Sequence, residues 1–164
     1  MRGRRRARVG LALLVVVVAC GAGLGCRTLR HVLDPPPRLA PCRGPIAPVA
    51  ALPGGDFLLR ERVRVRGDGV DAGFELVAER RGDRLVLVGL NAFGAEAFHL
   101  VQQGLDVESA SDLGPLLPVP PENLLRDLHA ARLARPHGPQ RVEVARPGCG
   151  YTATFVRVER RRLP

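Results

Sequence analysis

The chain has 164 residues, room for one ordinary domain plus a leader but not comfortably for two domains. All 25 of its basic residues are arginine, against 16 carboxylates for a net charge of +9. Five of them, Arg2, Arg4, Arg5, Arg6 and Arg8, precede a hydrophobic run that every carboxylate follows, and no basic block with interleaved aromatics remains, so the charge does not describe a nucleic-acid surface. A hydrophobic content of 46% excludes a disordered chain, and a single long apolar run excludes a multi-span membrane protein.

Residues 1–19 form a lipoprotein signal peptide: a polybasic start, then the uncharged run from Val9 to Ala19. Val17-Val18-Ala19-Cys20 fits a lipobox, in which the Cys20 thiol is acylated and becomes the new N-terminus, and several acyl chains together hold a protein stably to a bilayer. Gly23-Leu24-Gly25-Cys26 is the alternative, with Gly where a branched apolar residue is preferred. Parity favours that alternative. Cleavage at Cys26 leaves Cys42 and Cys149 as an even pair, able to form a disulfide, whereas cleavage at Cys20 leaves three cysteines. An uncleaved signal anchor from Val9 to Cys26 also stands, weakened by Gly21, Gly23 and Gly25. All these readings place the remainder in the cell envelope. Gly21 after Cys20, where Asp would retain the protein at the inner membrane, points to the outer membrane, facing the periplasm.

Residues 20–53 are the lipidated N-terminus and a tether, in which seven of the 15 prolines fall between residues 27 and 53. The second half of the tether has a different option. Ile46, Val49 and Leu52 could pack along the flank of the domain.

Residues 54–164 carry the domain. From Asp56, Phe57, Leu59, Val63 and Val65 alternate with arginines, a half-buried strand. Gly67 to Gly73 reverses the chain into a strand from Phe74 to Glu79, and Arg81-Gly82-Asp83 turns it into Leu85–Leu90, apolar on both faces and so expected to be central and covered on both sides. Ala97–Gln102 and Leu105–Ser109 make another hairpin. A proline-punctuated loop leads to a helix from Pro121 to about Ala134, with Pro in its first turn and an apolar stripe of Leu124, Leu125, Leu128 and Ala131. Arg141–Arg146 and Tyr151–Glu159 form the last hairpin, followed by a basic tail, Arg160-Arg161-Arg162. The expected fold is mainly β (α+β): a curved antiparallel sheet, or incomplete β-barrel, of about seven strands with one helix packed on the concave face.

The residues offer little chemistry. Ser109 and Ser111 lack a glycine elbow, and His31, His99, His129 and His137 are scattered without metal-ligand spacing. Asp106, Glu108 and Asp112 cluster as strand alternation would cluster them. Arg66-Gly67-Asp68 and Arg81-Gly82-Asp83 spell an adhesion tripeptide, which turns rich in Gly and Asp produce by chance. The reading is a non-enzyme with no cofactor and no metal, and an envelope hydrolase has almost no residue support.

One constellation is more specific: Phe74-x-Leu76, Arg84-Leu85-x-Leu87-Val88-Gly89-Leu90, Phe93-Gly94-x₃-Phe98-x-Leu100, and Leu117-Pro118 with Pro121-Glu122-Asn123-Leu124-Leu125-Arg126-Asp127-Leu128. It resembles an uncharacterised family of bacterial lipoproteins similar to the outer-membrane lipoprotein receptor and its periplasmic carrier, the lipoprotein-localisation (Lol) system. The resemblance spans Leu52 to Val158 and implies a strongly curved, incomplete barrel whose helices close over a hydrophobic cavity that binds acyl chains. The residues expected to meet an acyl chain are Phe57, Leu59, Phe74, Leu76, Phe98, Leu100, Leu124 and Leu128. On this reading the partners are the membrane, through the lipid anchor, and an acyl lipid or lipoprotein cargo, with no nucleic acid. The alternative is a non-catalytic structural or accessory envelope lipoprotein with a filled core. It would act through protein–protein contacts, with the last strand at Tyr151, Phe155 and Val156 as an exposed edge.

Overall fold

The computed structural model describes residues 36–135 and 137–164. The expected signal peptide, Cys20, Cys26 and His31 lie outside the described residues. Seven strands follow in order: β1 (Phe57–Gly67), β2 (Val70–Arg81), β3 (Arg84–Leu90), β4 (Glu96–Gln103), β5 (Asp106–Ala110), β6 (Arg141–Arg146) and β7 (Tyr151–Arg162). Between β5 and β6 lies the helix α1 (Pro121–Leu128), continued by one wider turn over His129–Leu133.

The strands make one antiparallel sheet in the order β5-β4-β3-β2-β1-β7-β6. It stays open: β5 and β6 are its edges, so the incomplete-barrel expectation holds in its open form and the domain is not a β-barrel. Short hairpins drive the meander. Asp68 and Gly69 take φ of 46° and 78°, the left-handed pair that a two-residue hairpin loop requires, so β1 pairs with β2 from Gly67↔Val70 onward. That turn is tighter than the Gly-rich stretch to Gly73 suggested, and both adhesion-like tripeptides fall at such hairpin turns.

Alternation sorts the faces as expected along β1, where Phe57, Leu59, Val63 and Val65 are buried and Arg62, Arg64 and Arg66 exposed. Leu76 and Ala78 of β2, Leu85 and Leu87 of β3, and Phe98 and Leu100 of β4 continue the same inner face. Gly89 is needed there: a Cβ on it would sit 2.1 Å from the Phe98 ring, which lies across the pair Gly89↔Phe98 and meets Phe74 edge-on at 6.0 Å. β3 is interior but not covered on both sides, since Val86 and Val88 of its outer face are only half-buried. Among the described residues no second layer lies over them, because the one helix packs on the inner face.

β7 differs from expectation in two ways. It runs between β1 and β6, so Tyr151 and Phe155 are buried core residues and the true edge is β6. It also extends through Arg162, so the basic tail is strand, paired with β1 from Phe57↔Arg162 to Leu59↔Arg160. A bulge interrupts this pairing. Arg60 faces Glu159 while Glu61 faces Arg157, leaving Val158 without an opposite number.

The compact unit begins at Pro37. Residues 37–53 form a strap with Leu39, Cys42, Val49 and Leu52 buried against the domain. The Leu39 amide donates to the Pro118 carbonyl and the Val49 amide to that of Gly104. Cys42 is joined by a disulfide to Cys149, 107 residues away.

Candidate functional site

The helix is amphipathic by design of its sequence: Pro121 fits the first turn, Glu122 lies at the positive end of the dipole, and Leu124, Leu125 and Leu128 turn one face to the sheet. The eight residues expected to meet an acyl chain all converge between the sheet's inner face and α1. Seven of them are at most 1% exposed and Phe74 is 8% exposed, so among the described residues they pack against one another between sheet and helix.

Polar ties fasten this cover. The Asn123 side chain accepts from the Cys42 amide at 2.7 Å and donates to the Ala40 carbonyl at 3.0 Å, which pins strap to helix. Gln102, on the inner face of β4, donates to the carbonyls of Ala47 and Gly104, both at 2.8 Å, and its Oε1 lies 2.8 Å from His129 Nε2. That oxygen can only accept, so His129 donates to it from Nε2. Burial pushes its pKa down to about 4. Asp127 accepts from Arg146 Nε at 2.7 Å and from the Tyr151 hydroxyl at 2.9 Å. Burial raises the Asp127 carboxyl despite these donors, and the Tyr151 hydroxyl is raised by burial and by the neighbouring carboxylate.

The wider turn after α1 carries the strongest tie. Its signature is the Ala134 amide donating to the His129 carbonyl at 3.1 Å, one residue further back than in an α-helix. Arg132, wholly buried, reaches Glu61 of β1 through Nε at 2.6 Å and Nη2 at 3.1 Å, a bidentate pair. It also donates to the carbonyls of Pro139 and of Gln140 and Phe155. Burial raises the Glu61 carboxyl, against the pull of Arg132, Arg157 and Arg160.

Grooves open elsewhere among the described residues. One of about 490 Å³ lies between strap and helix, walled by Pro45, Ala47, Leu52, Arg126, His129 and Arg146. Another, of about 610 Å³, runs over the outer face between Arg62, Arg64, Arg66, Arg141, Thr152 and Thr154. Neither is lined by the eight inner-face residues, but a third groove of about 320 Å³, between Val63, Gly73 and Asn91, reaches one of them, Phe74. At the β3–β4 turn, Asn91 Oδ1 accepts from the amides of Phe93 and Ala95 and holds Phe93 out into solvent at 95% exposure. Among the described residues, His99 and His137 are exposed, Asp106, Glu108 and Asp112 are exposed, and no group of three His, Cys, Asp or Glu is placed to hold a metal ion. No described helix is long and apolar enough to cross a membrane.

Two features of this centre had a signal in the sequence. Glu61 and Gln102 occupy inward positions of strands whose other inward residues are apolar, and a buried polar side chain needs a partner. Arg132 and His129 supply those partners from α1's continuation, and nothing in the spacing tied them to β1 and β4.

The fold and this centre define a class: an open antiparallel sheet whose apolar concave face is covered by one helix and a disulfide-pinned strap. The sequence places the chain in a family. Residues 59–145, more than half of the chain, match the family model described as protein of unknown function (DUF3261), and the chain belongs to that family. The match runs from Leu59 in β1 to Ala145 in β6 and leaves β7 outside it. No curated protein matches the chain at a significant level.

Proposed function

We propose that this protein is a membrane-anchored envelope lipoprotein whose domain takes up or hands on acyl chains, of lipids or of lipid-modified proteins, by burying them between sheet and helix. The Lol-type resemblance suggests this reading. The observation that carries it is the nature of the cover. An apolar sheet face is closed not by a second sheet but by one helix of apolar stripe and a few polar ties, so its contacts can be exchanged for an acyl chain at little cost in buried area. Uptake then requires α1 to move outward, because the closed form is filled. The outstretched Phe93 supplies an apolar point of contact with a bilayer.

Native mass spectrometry of the full chain, extracted from its own membranes in mild detergent, tests the reading. Lipid of defined mass on the wild type, and more of it on Glu61→Gln, where the tie to Arg132 is weakened, is expected. A clean apoprotein in both cases favours the second reading, a non-catalytic accessory lipoprotein with a filled core. The mutual burial of the eight inner-face residues supports that alternative. The anchor is tested by labelling with a palmitate analogue, which Cys20→Ser should abolish. Retention in Cys20→Ser and loss in Cys26→Ser moves the anchor to Cys26.

A further inference from the structure

The bulge at Val158 changes which side chains of β7 look inward. Phe155 faces the core, Arg157 two residues on lies opposite Glu61, and the extra residue brings Arg160 to the same face opposite Leu59. Three guanidiniums, those of Arg132, Arg157 and Arg160, therefore gather about one carboxylate. Arg132 takes both oxygens of Glu61. Arg157 Nε is left 3.8 Å from Oε1, too far to hydrogen-bond. Among the described residues, Arg157 Nε and Nη2 and Arg160 Nη1 are buried without a partner.

We propose that this cluster is an oxyanion site, which takes the phosphate or carboxylate group of an acidic amphiphile on Arg157 and Arg160. The paired Nε and Nη2 of Arg157 are the fork with which Arg132 grips Glu61 and Arg64 grips Asp71, both oxygens at 2.7 Å in the latter. The charge is unbalanced in the same sense, since one carboxylate faces three cations. Burial, and the neighbouring Arg132 for Arg157 or Arg157 for Arg160, hold both arginines below the ordinary arginine range. An anion on the fork relieves that repulsion. Apolar surface adjoins the charge, for Arg160 lies over the Phe57 ring with its guanidinium carbon 4.7 Å from the ring centre. Arg157 keeps a fifth of its side chain exposed, so the site lies at the rim of the core, reached by rotation of the side chain. It belongs to β7, beyond the part of the chain that matches the family model. The inference rests on the lipid-handling reading only for the source of the anion.

The test uses the full chain in dodecyl maltoside, its melting followed by far-ultraviolet circular dichroism because the chain has no Trp and one Tyr. The probes are inorganic phosphate against chloride at equal ionic strength, and micelles doped with phosphatidylglycerol against phosphatidylcholine. A saturating anion should raise Tm by about 3–6 °C. Arg157→Gln and Arg160→Gln should remove the rise, and Arg157→Lys, which keeps the charge but not the fork, should lose most of it. Without anion, Arg157→Gln should melt at or above the wild type, whereas an arginine serving only the fold would melt lower on removal. A rise with phosphate supports a site open to free oxyanions, and a rise with phosphatidylglycerol alone supports a lipid headgroup. No rise with either probe, or a rise untouched by both Gln variants, overturns the site. Co-purified lipid with no anion response sinks this site and leaves acyl binding standing, and a phosphate response in a lipid-free chain does the reverse.

Discussion

At the scale of single residues, the inner face tolerates little change where backbone and ring meet. Gly89→Ala places a methyl group into the Phe98 ring, and either the ring leaves its contact with Phe74 or β3 and β4 part. A loss of about 2–3 kcal/mol in denaturant unfolding is expected, while Gly82→Asn, at an open turn with φ of 60°, should cost far less. His129 sets a pH dependence. Its unfolded imidazole binds a proton near pH 6.5, but the folded one does so only near pH 4. Between those values unfolding takes up a proton, so stability falls as pH drops through that window, by on the order of 2–3 kcal/mol in all. The raised carboxyls of Glu61 and Asp127 act in the opposite direction. The measurement is therefore the difference between wild type and His129→Gln: as pH drops from 6.5 to 4, the variant's stability in urea unfolding should fall less than the wild type's, or rise.

At the scale of elements, the strands were legible because β-structure writes itself as a period of two, and each reversal carries a glycine able to adopt a left-handed turn. The helix was legible from Pro121 and its leucine stripe. What the pattern could not carry was anything that depends on one inserted residue. The bulge in β7 changes the parity after Arg157, and the wide turn after Leu128 re-aims Arg132. The first turns Arg160 inward opposite Leu59 and the second brings Arg132 to Glu61, and neither has a sequence signature. Arg132→Gln removes the bidentate partner of the buried Glu61 and leaves it only Arg157, whose Nε lies 3.8 Å away, so a loss toward the lower end of about 3–5 kcal/mol is expected. Replacing both partners, Glu61→Leu with Arg132→Met, should restore much of it in a double-mutant cycle. The β3–β4 turn behaves differently: Phe93→Ser should leave thermal stability within about 0.5 kcal/mol while reducing co-sedimentation with vesicles. Unchanged sedimentation would remove Phe93 from the proposed membrane contact.

At the scale of the whole molecule, the strap was the least legible part. Proline spacing points to an extended segment, and extended segments solvate or pack according to what they meet. The buried Leu39, Val49 and Leu52 were visible only as isolated apolar residues among prolines. The eight residues expected to meet an acyl chain were legible as inner-face positions, whereas whether they enclose space or fill it depends on volumes that a pattern does not encode. The disulfide converts the strap from a flank into a fastening. Removing it by Cys42→Ala with Cys149→Ala should cost about 3–5 kcal/mol, since the closed loop spans most of the domain, and should loosen the strap before the sheet, seen as early exchange of the Cys42 and Val49 amides.

Timing follows from the same bond. A ribosome makes Cys42 early and Cys149 near the end, so the clasp cannot close until six of the seven strands exist. Throughout that interval the early thiol is free to pair wrongly, with Cys26 as a rival if it is unmodified. Material prepared in a reducing cytoplasm would carry the sheet but an unfastened cover, and a binding measurement on it would report the missing latch rather than the fastened domain.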